Sequence, residues 1–217
     1  MDLGTSSFGD WDAMRYSPGT VREAKLLHAF WSELLAEQKI FSEVQISGIT
    51  DPQIVCRTIA NGMLLAVIRN PRGAAPLPRE KQIANIKLRD KYHIYDTVNK
   101  KYLGCHASFQ YEFLQHTQAL FTLLPYKVEK VLCNVERSGR KVVMKITLAA
   151  ESSNFSDHTF RVDVFDNSGK KNPSYSTVVH GSGNRGQFEF QMPLNKEKVR
   201  NAVITELLTG VQCSVNF

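Results

Sequence analysis

The chain has 217 residues, of which 42% are hydrophobic and 22% charged, with a formal net charge of +6. That is an ordinary globular composition, which excludes a disordered chain and allows one large domain or two of about 100 residues. No run reaches the roughly 18 apolar residues of a membrane span, and the opening MDLGTSSFGDW has neither the basic nor the apolar segment of a secretion signal. The positive charge is spread along the chain, with looser basic stretches at Arg79 to Lys101 and Lys127 to Lys145. A solvated surface accounts for it better than a nucleic-acid groove does.

The first eighteen residues have no period, and Trp11 and Tyr16 stand out there as aromatic anchors for a neighbouring domain, with stacking on a sugar or a base as the alternative. Thr20 and Glu23 then have the spacing of a capping box, and Ala24, Leu27, Trp31, Leu34 and Leu35 recur every three or four residues. This predicts an amphipathic helix ending near Gln38. Its apolar stripe needs a partner, so Trp11, Tyr16, Leu27, Trp31 and Leu34 form the candidate interface.

From Glu43 the period falls to two. EVQISGI, QIVCRTIA, MLLAVIR, KQIANIKL, KYHIYDT, ASFQYEF and TQALFTLL read as strands, with Asn61 and Gly62 as the positive-φ pair of a hairpin. The stretch from Asn70 to Glu80 holds Pro71, Pro76 and Pro78, which cannot join a ladder, and reads as a surface loop. Pro125 ends the series and marks a domain boundary.

A second series of about seven strands follows at roughly ten-residue spacing, the count and interval of an immunoglobulin-like sandwich. Its inward residues are Val142, Met144, Ile146 and Leu148, then Phe160, Val162 and Val164, then Phe188, Phe190 and Met192, and last Val211, Cys213, Val215 and Phe217. The register of KEKVRNAVITELL stays open, with a short helix as the alternative. The expected architecture is therefore mainly β: an N-terminal loop and helix over 1–40, a first β-domain over 41–125 and an immunoglobulin-like sandwich over 126–217.

Candidate reaction centres are few. Gly181, Gly183 and Gly186 match G-x-G-x-x-G, but a dinucleotide turn must open a helix, whereas QFEFQM after this one alternates like a strand. The kinase lysine and catalytic-loop motifs do not follow either, so the glycines are expected to relax a β connection. FDNSGKK lacks the ligand ladder of a calcium loop and reads as a turn with Gly169 in the left-handed region. The six histidines form no zinc spacing. Glu112, Asp163 and Glu189 fall at the polar phase of their strands, where solvent is the expected neighbour. Cys56, Cys105, Cys133 and Cys213 lie far apart and read as buried free thiols rather than a disulfide or metal framework, which leaves the redox compartment open. No catalytic, metal or cofactor residue is assigned.

The phrases FGDWDAMRYSPG, LLHAFWSELL, LLAVIRNP, HIYDTVNKKYLG, ALFTLLPYKVEKV, HTFRVDVFDNSGKKNPSYSTVV and LLTGVQCSVNF resemble the C-terminal region of bacterial glycoside-hydrolase-like proteins related to family 42 β-galactosidases. The resemblance implies that residues 1–40 end a flavodoxin-like trimerisation domain and that the rest are accessory β-domains. It places the catalytic carboxylates on a barrel outside this chain, in a family often exported. The expected role is a non-catalytic accessory or interaction module, whose partners would be a glycoside hydrolase catalytic domain or a second copy through the helix. A carbohydrate-binding module is the alternative, with Tyr92, Tyr95 and Tyr111 as the strand aromatics available, and a nucleic-acid-binding β-domain ranks below it.

Overall fold

The computed structural model describes residues 43–49, 52–69, 81–114, 118–152, 154–192 and 201–216, together with Leu26 and Phe30. The chain divides into two compact units, Met1–Glu43 and Val44–Phe217. In the first, Leu26 and Phe30 have exposed side chains. Apart from Leu26 and Phe30, the helix expected over 20–38 lies outside the described residues, as do the interface candidates Trp11, Tyr16, Leu27, Trp31 and Leu34.

The second unit is mainly β, and its named strands pair antiparallel. Its first sheet holds β1 (Val44–Ser47), β2 (Pro52–Ile59), β3 (Gly62–Arg69), β4 (Gln82–Asp96), β5 (Lys101–Phe113) and β6 (Gln118–Leu124). The order is β1-β4-β6-β3-β2, with β5 also paired to β4.

KQIANIKL and KYHIYDT, expected as two strands, are one. Arg89, Asp90 and Lys91 interrupt the alternation without a Gly or Pro, so the backbone stays extended and the register with β5 shifts between Lys87 and Tyr92. Such a bulge bends a strand without ending it. The first half of β4 accordingly pairs with β1, Val44 opposite Leu88, while its second half pairs with β6, His93 opposite Leu124. Ala84, Ile86 and Leu88 turn into the core with Val67, Phe113 and Phe121, whereas Ile83 on the opposite phase is 52% exposed.

The β2–β3 hairpin turns one residue earlier than expected. Ala60, with φ of 44°, and Asn61 form the tip, and Gly62 opens β3. Glycine is needed at 62 for room rather than for a positive φ: a Cβ there would lie 2.7 Å from the Leu123 carbonyl oxygen.

The remaining strands are β7 (Val128–Ser138), β8 (Lys141–Ala150), β9 (Thr159–Phe165), β10 (Thr177–His180), β11 (Arg185–Gln191), β12 (Asn201–Glu206) and β13 (Gln212–Asn216). They make one sheet of order β11-β8-β7 and another of order β10-β9-β12-β13. Inward residues read from alternation pack as expected, Met144 and Ile146 on β8 and Phe160, Val162 and Val164 on β9 being at most 1% exposed, while Phe217 lies outside the described residues. NAVITE is a strand, not a helix, because Ala202 and Ile204 fill the gap opposite Val164 and Val162. Tyr95 and Leu124 of the first sheet belong to this second core, and Ile59 packs against it.

Candidate functional site

The buried polar groups gather where the two cores meet. His158 lies just before β9 and Glu206 ends β12, each in phase with the inward residues of its strand, and both side chains are 0% exposed. Tyr126, directly after Pro125, is 3% exposed. Its hydroxyl lies 2.9 Å from His158 Nε2, and His158 Nδ1 lies 3.0 Å from Glu206 Oε1.

The other partners set the direction of these bonds. Tyr126 Oη accepts from the Ser156 amide at 2.8 Å, so its own proton can go to His158 Nε2, leaving the imidazole N–H on Nδ1 to reach Glu206. That tautomer leaves no donor idle. Glu206 also accepts from the Leu208 amide at 3.0 Å, the Thr209 amide at 2.7 Å and the Thr209 hydroxyl at 2.6 Å. The Leu207–Gly210 turn wraps the carboxylate, and Gly210, with φ of 77°, passes so close to Lys100 that a Cβ would meet Lys100 Cβ at 2.6 Å.

Hydroxyl, imidazole and carboxylate thus stand in the order of a nucleophilic relay. A relay must reach a substrate, however, and these groups are sealed from one. Burial also pushes the Tyr126 hydroxyl pKa up, against the hydrogen bonds from Ser156, so the phenol is a poor nucleophile in place.

The same groups tie the sheets together. Ser156 Oγ donates to the Ile59 carbonyl at 3.0 Å and accepts from the Asn61 amide at 3.2 Å, which fastens the β2–β3 hairpin to the segment before β9. The Val128 amide donates to the Tyr95 hydroxyl at 2.8 Å. Burial raises the pKa of that hydroxyl to about 12. Thr97 Oγ1 donates to the Leu208 carbonyl at 3.3 Å.

The aromatic candidates for sugar stacking separate. Tyr95 is 2% exposed, Tyr92 is half-buried against the first core, and Tyr111 packs edge-on against Phe113 and Phe121. Tyr111 also donates to Asp96 at 2.7 Å, and Asn99 donates to the same carboxylate through its amide at 2.9 Å and its side chain at 2.7 Å. Burial pushes the Asp96 pKa up, yet these hydrogen bonds outweigh it and the net shift is downward. The cluster closes the β4–β5 turn. Tyr102 is the strand aromatic left at the surface, with Lys127 Nζ 5.5 Å from its ring centre and its hydroxyl 2.8 Å from His93 Nδ1.

The glycine loop joins β10 to β11. The Gly183 amide is taken by Asp157 Oδ1 at 2.8 Å, so a carboxylate already occupies one donor a phosphate would need. Ser182 and Arg185 bridge backbone to backbone around Gly183 and Asn184. A Cβ at Gly181 would sit 2.4 Å from the Arg185 carbonyl oxygen. In FDNSGKK, Asp166 Oδ1 accepts from the Ser168 amide and hydroxyl and the Lys170 amide, with Gly169 at φ of 78°. That is an Asp-closed turn.

Glu112 and Glu189 lie at the surface, paired with Lys81 and Lys141, but Asp163 is only 13% exposed and lies between Arg161 and Lys171. The four cysteines form no disulfide, but they are not buried as expected: Cys56 and Cys105 fall on exposed positions of β2 and β5, and Cys133 and Cys213 are half-buried on edge strands. Among the described residues no three His, Cys, Asp or Glu side chains gather as a metal site would require.

One surface groove is built from aligned polar rows. Gln45, Lys87 and Ser108 stand in register across β1, β4 and β5, as do Ser47, Asn85 and Gln110. Gln110 Nε2 donates to Asn85 Oδ1 at 2.9 Å, and the groove holds about 480 Å3.

Alternation alone does not mark Tyr126, His158 or Glu206 as a cluster. The available signal was phase: His158 precedes Phe160, Val162 and Val164 by steps of two, and Glu206 follows Ala202 and Ile204 likewise. A titratable side chain on the core-facing phase needs a buried partner. No family model matches the chain. No curated protein is similar to it.

Proposed function

We propose that the chain is a non-catalytic accessory or interaction module of a glycoside-hydrolase-like protein. In this reading residues 126–217 form an immunoglobulin-like sandwich, residues 41–125 a second sandwich-like domain, and residues 1–40 the remnant of a flavodoxin-like domain. The seven antiparallel strands divided three and four, β11-β8-β7 against β10-β9-β12-β13, support the immunoglobulin-like assignment. The observation that carries the functional reading is the investment of Tyr126, His158 and Glu206 in joining two cores, with every polar atom of the set turned to a protein partner. A rigid pair of β layers suits a spacer or docking element. The test is hydrolysis of a panel of aryl glycosides by the purified chain. No turnover above the buffer rate is expected, and turnover that Glu206→Gln abolishes without unfolding the protein would overturn the reading.

A carbohydrate-binding role is the second reading, favoured by the groove across β1, β4 and β5. Its amides, hydroxyls and lysine offer donors and acceptors at sheet spacing, suited to a chain of sugar hydroxyls. Calorimetric titration with galacto-oligosaccharides checks it. Weak binding is expected to fall at least tenfold in Asn85→Ala, and heats unchanged by that substitution would remove the groove from consideration.

A further inference from the structure

Strand β7 ends the three-stranded sheet and β13 ends the four-stranded one, and Cα atoms of the two come within 8 Å of each other. Val131, Cys133 and Val135 are the core-facing phase of β7, and Cys213 and Val215 are that of β13, with Val211 in the same phase just before it; all belong to or pack on one buried cluster. Each cysteine is therefore an inward residue of an edge strand. Cys133 stands opposite Ile146 and Cys213 opposite Ile204, two residues at most 1% exposed in that shared core.

Burial first, and the charge of Cys213 second, push the Cys133 thiol pKa up to about 11, and burial raises that of Cys213 as well. Cys56 and Cys105 belong to the other sheet and are exposed.

We propose that Cys133 and Cys213 form a disulfide site that clips β7 to β13 across the open flank between the sheets. The co-reactant is a small disulfide such as oxidised glutathione. One protein thiolate attacks it, forming a mixed disulfide and releasing one glutathione thiolate; the second protein thiolate then attacks the protein sulfur and releases the other. Two protein S–H bonds are lost, one S–S bond forms, and two electrons and two protons end on two glutathione molecules. Shielded thiols with high pKa values react slowly, and their thiolates are poor leaving groups, so the bond forms sluggishly and resists reduction. It closes a long loop, which restrains the unfolded chain strongly.

The test uses the full chain carrying Cys56→Ser and Cys105→Ser, refolded from urea in a buffer of reduced and oxidised glutathione so that slow access to the folded thiols does not limit the outcome. The expected product is about 2 Da lighter, has no free thiol, and melts about 10 °C higher than the reduced form. Peptide mapping should find the 133–213 bridge, and a further Cys213→Ser should abolish both the mass loss and the shift. Recovery of a folded monomer with both thiols free, or with separate glutathione adducts, would overturn the proposal. A bridge that lowers the melting temperature would overturn it too.

Discussion

Glu206 accepts four hydrogen bonds with its side chain 0% exposed, and this makes it the residue whose loss should be felt most. Glu206→Gln keeps the shape but offers an NH2 to the amides and the hydroxyl that now donate. A destabilisation of about 3 kcal/mol is expected, read from the urea midpoint at unchanged m-value. The tyrosines give a second residue-scale prediction. Burial raises Tyr95 and Tyr111 from an ordinary 10.0 to about 12. A folded pKa above the unfolded one means the neutral phenol stabilises the fold fully below pH 10, and that contribution is lost as pH rises from 10 towards 12. Stability measured from pH 8 to 11.5 should fall through that window. Tyr95→Phe should flatten the fall while costing about 1–3 kcal/mol at pH 8, because the Val128 amide loses its acceptor.

At the scale of elements, the β10–β11 connection tests why its glycines are there. Gly183 has φ of 56°, and a methyl group added to it would have no neighbour nearer than 3.8 Å, whereas one added to Gly181 would lie 2.4 Å from a backbone oxygen. Gly183→Ala should therefore cost about 1–2 kcal/mol, the ordinary left-handed penalty. Gly181→Ala should cost more, because Arg185 or His158 must shift. Equal melting temperatures for the two variants would contradict this, and ATP or NAD should shift neither. The connection was legible in the sequence because the strand after it alternates. The joining of two expected strands into β4 was not, since Arg89, Asp90 and Lys91 look like a solvated turn until β5 is laid beside them. Hairpin registers suffered similarly: the Asn61–Gly62 pair suggests a tip, but the Leu123 carbonyl, 61 residues on, is what requires Gly62. Local signals locate elements, and long-range contacts place their ends.

For the whole molecule, the decisive feature is that Ile59, Tyr95 and Leu124 complete the core beneath β7–β13. Pro125 marks the change of strand series, yet the packing crosses it. Residues 44–217 are thus expected to unfold in one transition, with far-UV and tyrosine near-UV dichroism coincident. The fragment Tyr126 to Phe217 retains its seven strands but lacks those three side chains and the Ile59 and Asn61 backbone partners of Ser156, so it should melt well below the intact chain. Two separate transitions in the intact chain, with the fragment matching the second, would show that the shared contacts contribute little.

The place of β12 has a consequence for synthesis. It lies between β9 and β13 although it is the next-to-last strand in sequence. A chain emerging from its N-terminus can assemble β1 to β6 early, but β9, once paired with β10 on one side, waits through β11 before its second neighbour arrives. Until then His158 faces an unfilled gap and the edge of β9 stays open to other chains. A message truncated before residue 201 would therefore yield a product with one sticky edge, recognised by aggregation or proteolysis.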